Sequence, residues 1–110
     1  MALPHTPSGQ IASVRPLGAA LEHTVSAATL QASQLEVMRV VLPAGKTMPE
    51  HQTPGEITVQ CLEGVVEFRH DGRAQQMHAG DLIHLEPRVP HALTALQDAS
   101  LLVTICLLPG

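Results

Sequence analysis

After residue 34 the chain is punctuated too often for a long helix to form. Turn-forming residues recur as Pro43-Ala44-Gly45, Glu63-Gly64, Asp71-Gly72, Ala79-Gly80-Asp81, Pro87 and Gln97-Asp98-Ala99. Proline removes a backbone donor and glycine weakens a helix interior, so each cluster ends the element before it. Between the clusters lie short apolar or alternating runs at 35–42, 57–62, 65–69, 82–85, 92–96 and 101–107. Such spacing predicts strands, and the Asp71-Gly72 pair between Phe68 and Met77 predicts a two-residue hairpin turn that needs positive φ. No internal repeat or helical periodicity competes in this region, so an all-β sandwich or closed barrel is expected.

A chain of 110 residues suits one domain, and 45% hydrophobic against 15% charged residues supplies enough apolar side chain for a core. The net charge is -4, Lys46 is the only lysine and Phe68 the only aromatic residue. Neither a phosphate-neutralising surface nor a base-stacking platform can be assembled from these, so no nucleic acid is expected as a partner. The longest apolar run, 101–108, is broken by Thr104 and too short for a membrane-spanning helix. It reads as a buried strand, and no membrane partner is expected. Pro4, His5 and Pro7 interrupt the N-terminus where a signal peptide needs an apolar stretch, so a cytoplasmic location is expected. In that reducing compartment Cys61 and Cys106 are expected as thiols.

Residues 1–10, with Pro4, Pro7 and Gly9, read as a flexible or edge arm, and 11–110 as a single barrel domain. Within 11–33 the signals conflict: Ala19, Ala20, Ala27 and Ala28 favour helix, while Val25, Thr29 and the alternation near Leu30 favour a strand.

Two stretches carry a family resemblance. The first contains Gly45, five residues, His51-Gln52-Thr53, Pro54-Gly55-Glu56, Ile57, six residues and Gly64. The second runs Gly80-Asp81-Leu82-Ile83-His84-Leu85-Glu86-Pro87-Arg88-Val89-Pro90-His91. In order and spacing they resemble the paired motifs of the cupin superfamily, which implies a double-stranded β-helix or jelly-roll barrel of the RmlC-like type. In metal-binding members two histidines and a glutamate of the first motif and a histidine of the second hold a divalent ion at the barrel mouth. The resemblance keeps His51 and His91 as ligands but places Thr53 at the second histidine and Ile57 at the glutamate. It also places Arg88 and Ala95 where the second motif has glycine and asparagine. Any cofactor it implies is a divalent transition metal, namely zinc, iron, nickel or manganese.

Alternation decides which neighbours can replace the missing ligands. Successive strand side chains point to opposite faces, so Ile57, Val59 and Cys61 form an apolar row and Glu56, Thr58 and Gln60 a polar one. With the apolar row inward, Glu56 points out unless a bulge near Gly55 re-aims it. His84 competes with Ile83 and Leu85 for the core face. Glu56 and His84 therefore stand behind His51 and His91 as metal candidates.

The expected ligand pocket comprises His51, Thr53, Ile57, Val59, Cys61 and His91. One reading is a binding or sensing barrel for a small molecule with little or no catalytic metal, its histidines a polar pocket mouth. The alternative is a metal-dependent oxygenase or isomerase with His51 and His91 as ligands. The apolar content also suits a homodimer. Cys61 is a small apolar filler or, beside a cation, a nucleophile. His70 and His78 are expected in solvent beside the hairpin, Arg88 in a solvated turn or at an anion, and Met48 and Met77 as gap fillers.

Overall fold

A computed structural model describes residues 5–107, so Met1 to Pro4 of the expected arm and Leu108 to Gly110 lie outside the described residues. Nine strands follow a short 3-10 turn at Gly18–His23: β1 Ala27–Gln31, β2 Leu35–Leu42, β3 Thr47–His51, β4 Ile57–Glu63, β5 Val65–His70, β6 Arg73–His78, β7 Leu82–Leu85, β8 His91–Ala95 and β9 Ala99–Cys106. They form an antiparallel five-stranded sheet in the order β1-β2-β9-β4-β7 and a four-stranded sheet in the order β3-β8-β5-β6. The two sheets form the expected all-β jelly roll, and among the described residues no helix is long and apolar enough to cross a membrane.

The core lies between the sheets, where period-two alternation sends every second side chain. Ile57, Val59 and Cys61 of β4 face Val66 and Phe68 of β5 and Leu93 of β8, all nearly or fully buried. Phe68, 0% exposed, is the largest side chain in that layer. The Asp71-Gly72 turn takes positive φ at both residues, 51° and 72°, the twist that a tight hairpin requires.

Three elements differ from expectation. Thr47–His51 is a strand despite Pro49, because it lies at the edge of its sheet, where a missing N–H costs no ladder bond. β9 begins at Ala99, a residue that the sequence pattern assigns to the turn. The ambiguous 11–33 region resolves into the 3-10 turn and β1, with no longer helix.

What secures that N-terminal region is a contact from far along the chain. The ladder between β4 and β9 shifts between Cys61 and Glu63, a bulge that turns Glu63 to the face of Ser100. There its carboxylate accepts the Leu17 N–H at 2.7 Å, the Gly18 N–H at 3.0 Å and the Ser100 hydroxyl. Burial alone would raise the Glu63 pKa, but these three donors, with Arg39 nearby, outweigh it and hold the group below the usual carboxylate range. Further bonds run from Arg39 to the Arg15 carbonyl and from the Thr6 N–H to Thr29. The described part of the expected arm is thus tied to the sheet.

Candidate functional site

The barrel holds an inner cavity of about 100 Å3 at the His51 end. Larger hollows of about 280 and 290 Å3 lie outside it, one between the N-terminal segment and β1, the other at the Asp71-Gly72 hairpin, and both are open surface grooves. The inner cavity is lined by core residues of both sheets and brings His51 and His91 together. Its wall is apolar, formed by Val40, Ile57, Val59, Leu93, Val103 and Ile105. Met38 and Met48 add two thioethers, and His51, Thr53 and His91 are its polar side chains.

A bulge delivers the first histidine. Met48 pairs with Leu93 and His51 with His91, although residues three apart cannot share a face of a regular strand. The ladder irregularity between Met48 and His51 absorbs the extra residue, so both side chains reach the cavity, His51 at its exposed mouth. The second histidine follows the turn at Arg88, whose φ is 63°. That left-handed conformation is the one a glycine adopts freely, so Arg88 holds a backbone conformation that costs an arginine more than a glycine. The Arg88 N–H donates to the Thr53 carbonyl at 2.9 Å, joining this turn to the loop after β3. Arg88 itself is exposed.

Each imidazole is held by the backbone carbonyl two residues before it. His51 Nδ1 lies 2.9 Å from the Pro49 carbonyl and His91 Nδ1 3.0 Å from the Val89 carbonyl. A carbonyl only accepts, so each Nδ1 carries a hydrogen, and in the neutral ring each Nε2 keeps its lone pair. The ring centroids are 4.3 Å apart, and the His91 ring stacks on Phe68 at 5.6 Å with planes 6° apart. His91 is 3% exposed, and burial, aided by the neighbouring His51 and His70, keeps its pKa below the ordinary imidazole value against the opposing Val89 bond. Among the described residues His91 Nε2 has no hydrogen-bond partner, and since no buried side-chain nitrogen there lacks one, this atom is not sealed off.

The weaker metal candidates lie elsewhere. Glu56 and His84 bond to each other, Oε1 to Nε2 at 2.9 Å, with both side chains more than half exposed. They line an outer hollow with Thr58 and Thr104, and neither lines the inner cavity. No bulge re-aims Glu56, and it does not join the histidine pair.

Cys61 also needs correction. It belongs to the inward row but sits farther down the barrel and does not line the cavity; its thiol donates to the Glu63 and Gly64 carbonyls at 3.4 and 3.6 Å. Burial pushes its pKa up, which disfavours the nucleophilic thiolate. Cys61 pairs in register with Leu101 and Cys106 with Leu35, so the two do not meet.

His70, expected in solvent, has a side chain only 15% exposed. It pairs in register with His91, its Nδ1 is 3.2 Å from Asp71 and its Nε2 3.2 Å from Gln75. Its parity with Val66 and Phe68 was the available signal. Met38, Val40, Leu93, Val103 and Ile105 were missed as cavity residues because only the closure of two sheets brings them together.

The cupin domain model matches residues 38–107, well over half of the chain. The chain is a cupin. No curated protein sequence matches it. A cupin superfamily protein from Desulfitobacterium hafniense superposes with a TM-score of 0.74 at 16% identity, over 87% of this chain and 94% of that one. A conserved Streptococcus pyogenes protein of unknown function does so with 0.74 at 22% identity, over 100% of both. A salicylate 1,2-dioxygenase from Pseudaminobacter salicylatoxidans gives 0.63 at 22% identity, covering 66% of this chain but 21% of that one.

The donor set in this cupin does not fit the family's metal. Among the described residues no group of three or more His, Cys, Asp or Glu side chains could hold an ion. Catalytic centres usually take at least three protein ligands, and two imidazoles facing an apolar wall fall short of that.

Proposed function

We propose that this cupin binds a small, mainly apolar molecule in the inner cavity and does so without a resident catalytic metal. The observation that carries this is the cavity's make-up: an apolar wall from both sheets, bordered at one end by two oriented imidazoles whose Nε2 atoms have no partner among the described residues. Binding pockets are characteristically apolar with a few convergent polar groups that set orientation. At about 100 Å3 the enclosed part is small, so the recognised end of the ligand is compact.

A screen of small apolar fragments, followed by methyl chemical-shift mapping, tests the proposal. Hits should perturb Met48, Ile57, Val59, Val103 and Ile105, and Val103→Leu, which removes free volume, should weaken them. Hits that map only to the outer hollows, or a stoichiometric metal that survives chelator treatment, would sink the proposal.

One observation supports a second reading as a metal-dependent enzyme. Two Nε2-presenting imidazoles side by side are half of the family's ligand set, and the salicylate 1,2-dioxygenase shares the fold. On that reading His51→Ala and His91→Ala each abolish metal content and turnover together; activity unchanged in either variant removes it.

A further inference from the structure

The polar groups of the cavity are all of one kind. His51 and His91 each commit Nδ1–H to a backbone carbonyl, which in the neutral rings leaves Nε2 as an acceptor. Thr53 commits its hydroxyl hydrogen to the Gly55 carbonyl at 3.0 Å, so toward the cavity its oxygen also accepts only. Met38 and Met48 present thioether sulfurs, which are weak acceptors and never donors. No lysine, arginine, asparagine or glutamine lines the space. The side chains lining this cavity thus offer lone pairs and no hydrogen.

We infer that the cavity recognises a neutral, hydroxyl-bearing molecule with a small apolar body, its hydroxyl donating to the imidazole Nε2 atoms, and that it rejects carboxylates. The inference rests on the pocket proposed above and adds the chemistry of its ligand's head group. A carboxylate has only acceptor atoms and would meet acceptors throughout, losing its water without replacement. An ammonium finds acceptors but must leave water as a full charge for an apolar wall with no carboxylate nearby to pair with it. A hydroxyl costs least to desolvate and supplies the hydrogen that the site lacks. Size follows from the volume: with a water's share of liquid near 30 Å3, about 100 Å3 accommodates about three to four heavy atoms inside the wall.

The test compares probes of one chain length at pH 8.5, above the ordinary imidazole range. Full-length protein labelled with 15N is titrated with 1-butanol, butyrate and butylammonium while ring nitrogen and methyl signals are followed. Long-range ring spectra of the free protein should report the Nδ1–H form for both His51 and His91. Butanol should bind, moving both Nε2 signals and the Ile57 and Val59 methyls, with butyrate at least about tenfold weaker. His51→Phe, which keeps a ring at the mouth and removes one acceptor, should weaken butanol several-fold without changing the methyl pattern.

An Nε2–H form in the free protein overturns the inference, as does butylammonium binding tighter than butanol. Butyrate binding as well as or better than butanol overturns it too, while leaving the ligand pocket standing. If no organic probe binds and zinc ion alone shifts the Nε2 signals, both the inference and the pocket fall.

Discussion

Restoring the two replaced ligand positions gives the sharpest check on how the site is built. Thr53 and Ile57 line the same cavity as His51 and His91, so Thr53→His with Ile57→Glu should assemble three or four convergent donors. Without metal the variant should lose stability. Ile57 is 3% exposed, its burial is worth about 2–3 kcal/mol, and an unpaired carboxyl in its place costs more, for a total of about 3–5 kcal/mol. Metal should return much of that, because a ligand at a hundredfold excess over its Kd adds about 2.7 kcal/mol. For a domain of this size that raises Tm by roughly 10–20 °C. The assay is thermal unfolding by circular dichroism, with and without zinc ion after chelator treatment, for the wild type, the double variant and the double variant carrying His51→Ala. The wild type should gain no more than a few degrees, and the His51→Ala background should lose the variant's gain. An equal gain in the wild type would show that two imidazoles suffice; a folded double variant without any gain would show that positions 53 and 57 do not converge on the pair.

Other consequences are cheaper to measure. Gly64→Ala should cost about 3 kcal/mol or more in urea unfolding, because a Cβ there would lie 2.1 Å from the Asp98 carbonyl at a φ of 81°; Gly72→Ala, at φ 72° with nothing within 4 Å, should cost about 1 kcal/mol, and equal losses would refute the contact. Arg88→Gly should stabilise by up to about 1 kcal/mol by relieving the φ of 63°, and a loss of stability would mean that the arginine side chain makes a compensating contact. Glu63→Gln should weaken docking of the N-terminal segment by about 1–2 kcal/mol, read as faster hydrogen exchange of the Leu17 and Gly18 amides. Since the Glu63 pKa is depressed by folding, that contribution is complete above the ordinary carboxylate range near pH 4.3 and disappears as pH falls through the folded value; a Glu63→Gln variant with the same acid response as the wild type would disprove the link.

Legibility from sequence followed the range of the forces involved. β2, β4, β5, β7 and β9 were readable because their alternation and flanking turns are local, and the Asp71-Gly72 turn because its φ values demand those residues. β3 escaped because proline argues against a strand wherever its place in the sheet is unknown; only topology reveals that Pro49 is at an edge. The N-terminal region was ambiguous because Glu63, distant in sequence, secures it. At the site, parity placed Ile57 and Val59 inward and Glu56 outward, in agreement with the structure. Parity gives the face of a strand and says nothing of depth along the barrel, which is why Cys61 looked like a pocket residue. The same rule, applied to Phe68 and His70, places His70 inward, but its position beside a hairpin concealed this.

The orientation of the histidine pair does not depend on an ion. In a metal centre, second-shell acceptors orient each imidazole and the ion completes the arrangement. Here the Pro49 and Val89 carbonyls fix both rings, Phe68 supports the face of His91, and the Pro49 bulge and the Arg88 turn set the approach of β3 and β8. All of these are backbone or core features, so they persist whatever occupies positions 53 and 57. The frame that aims the imidazoles is therefore separable from the ligands that would complete a metal shell.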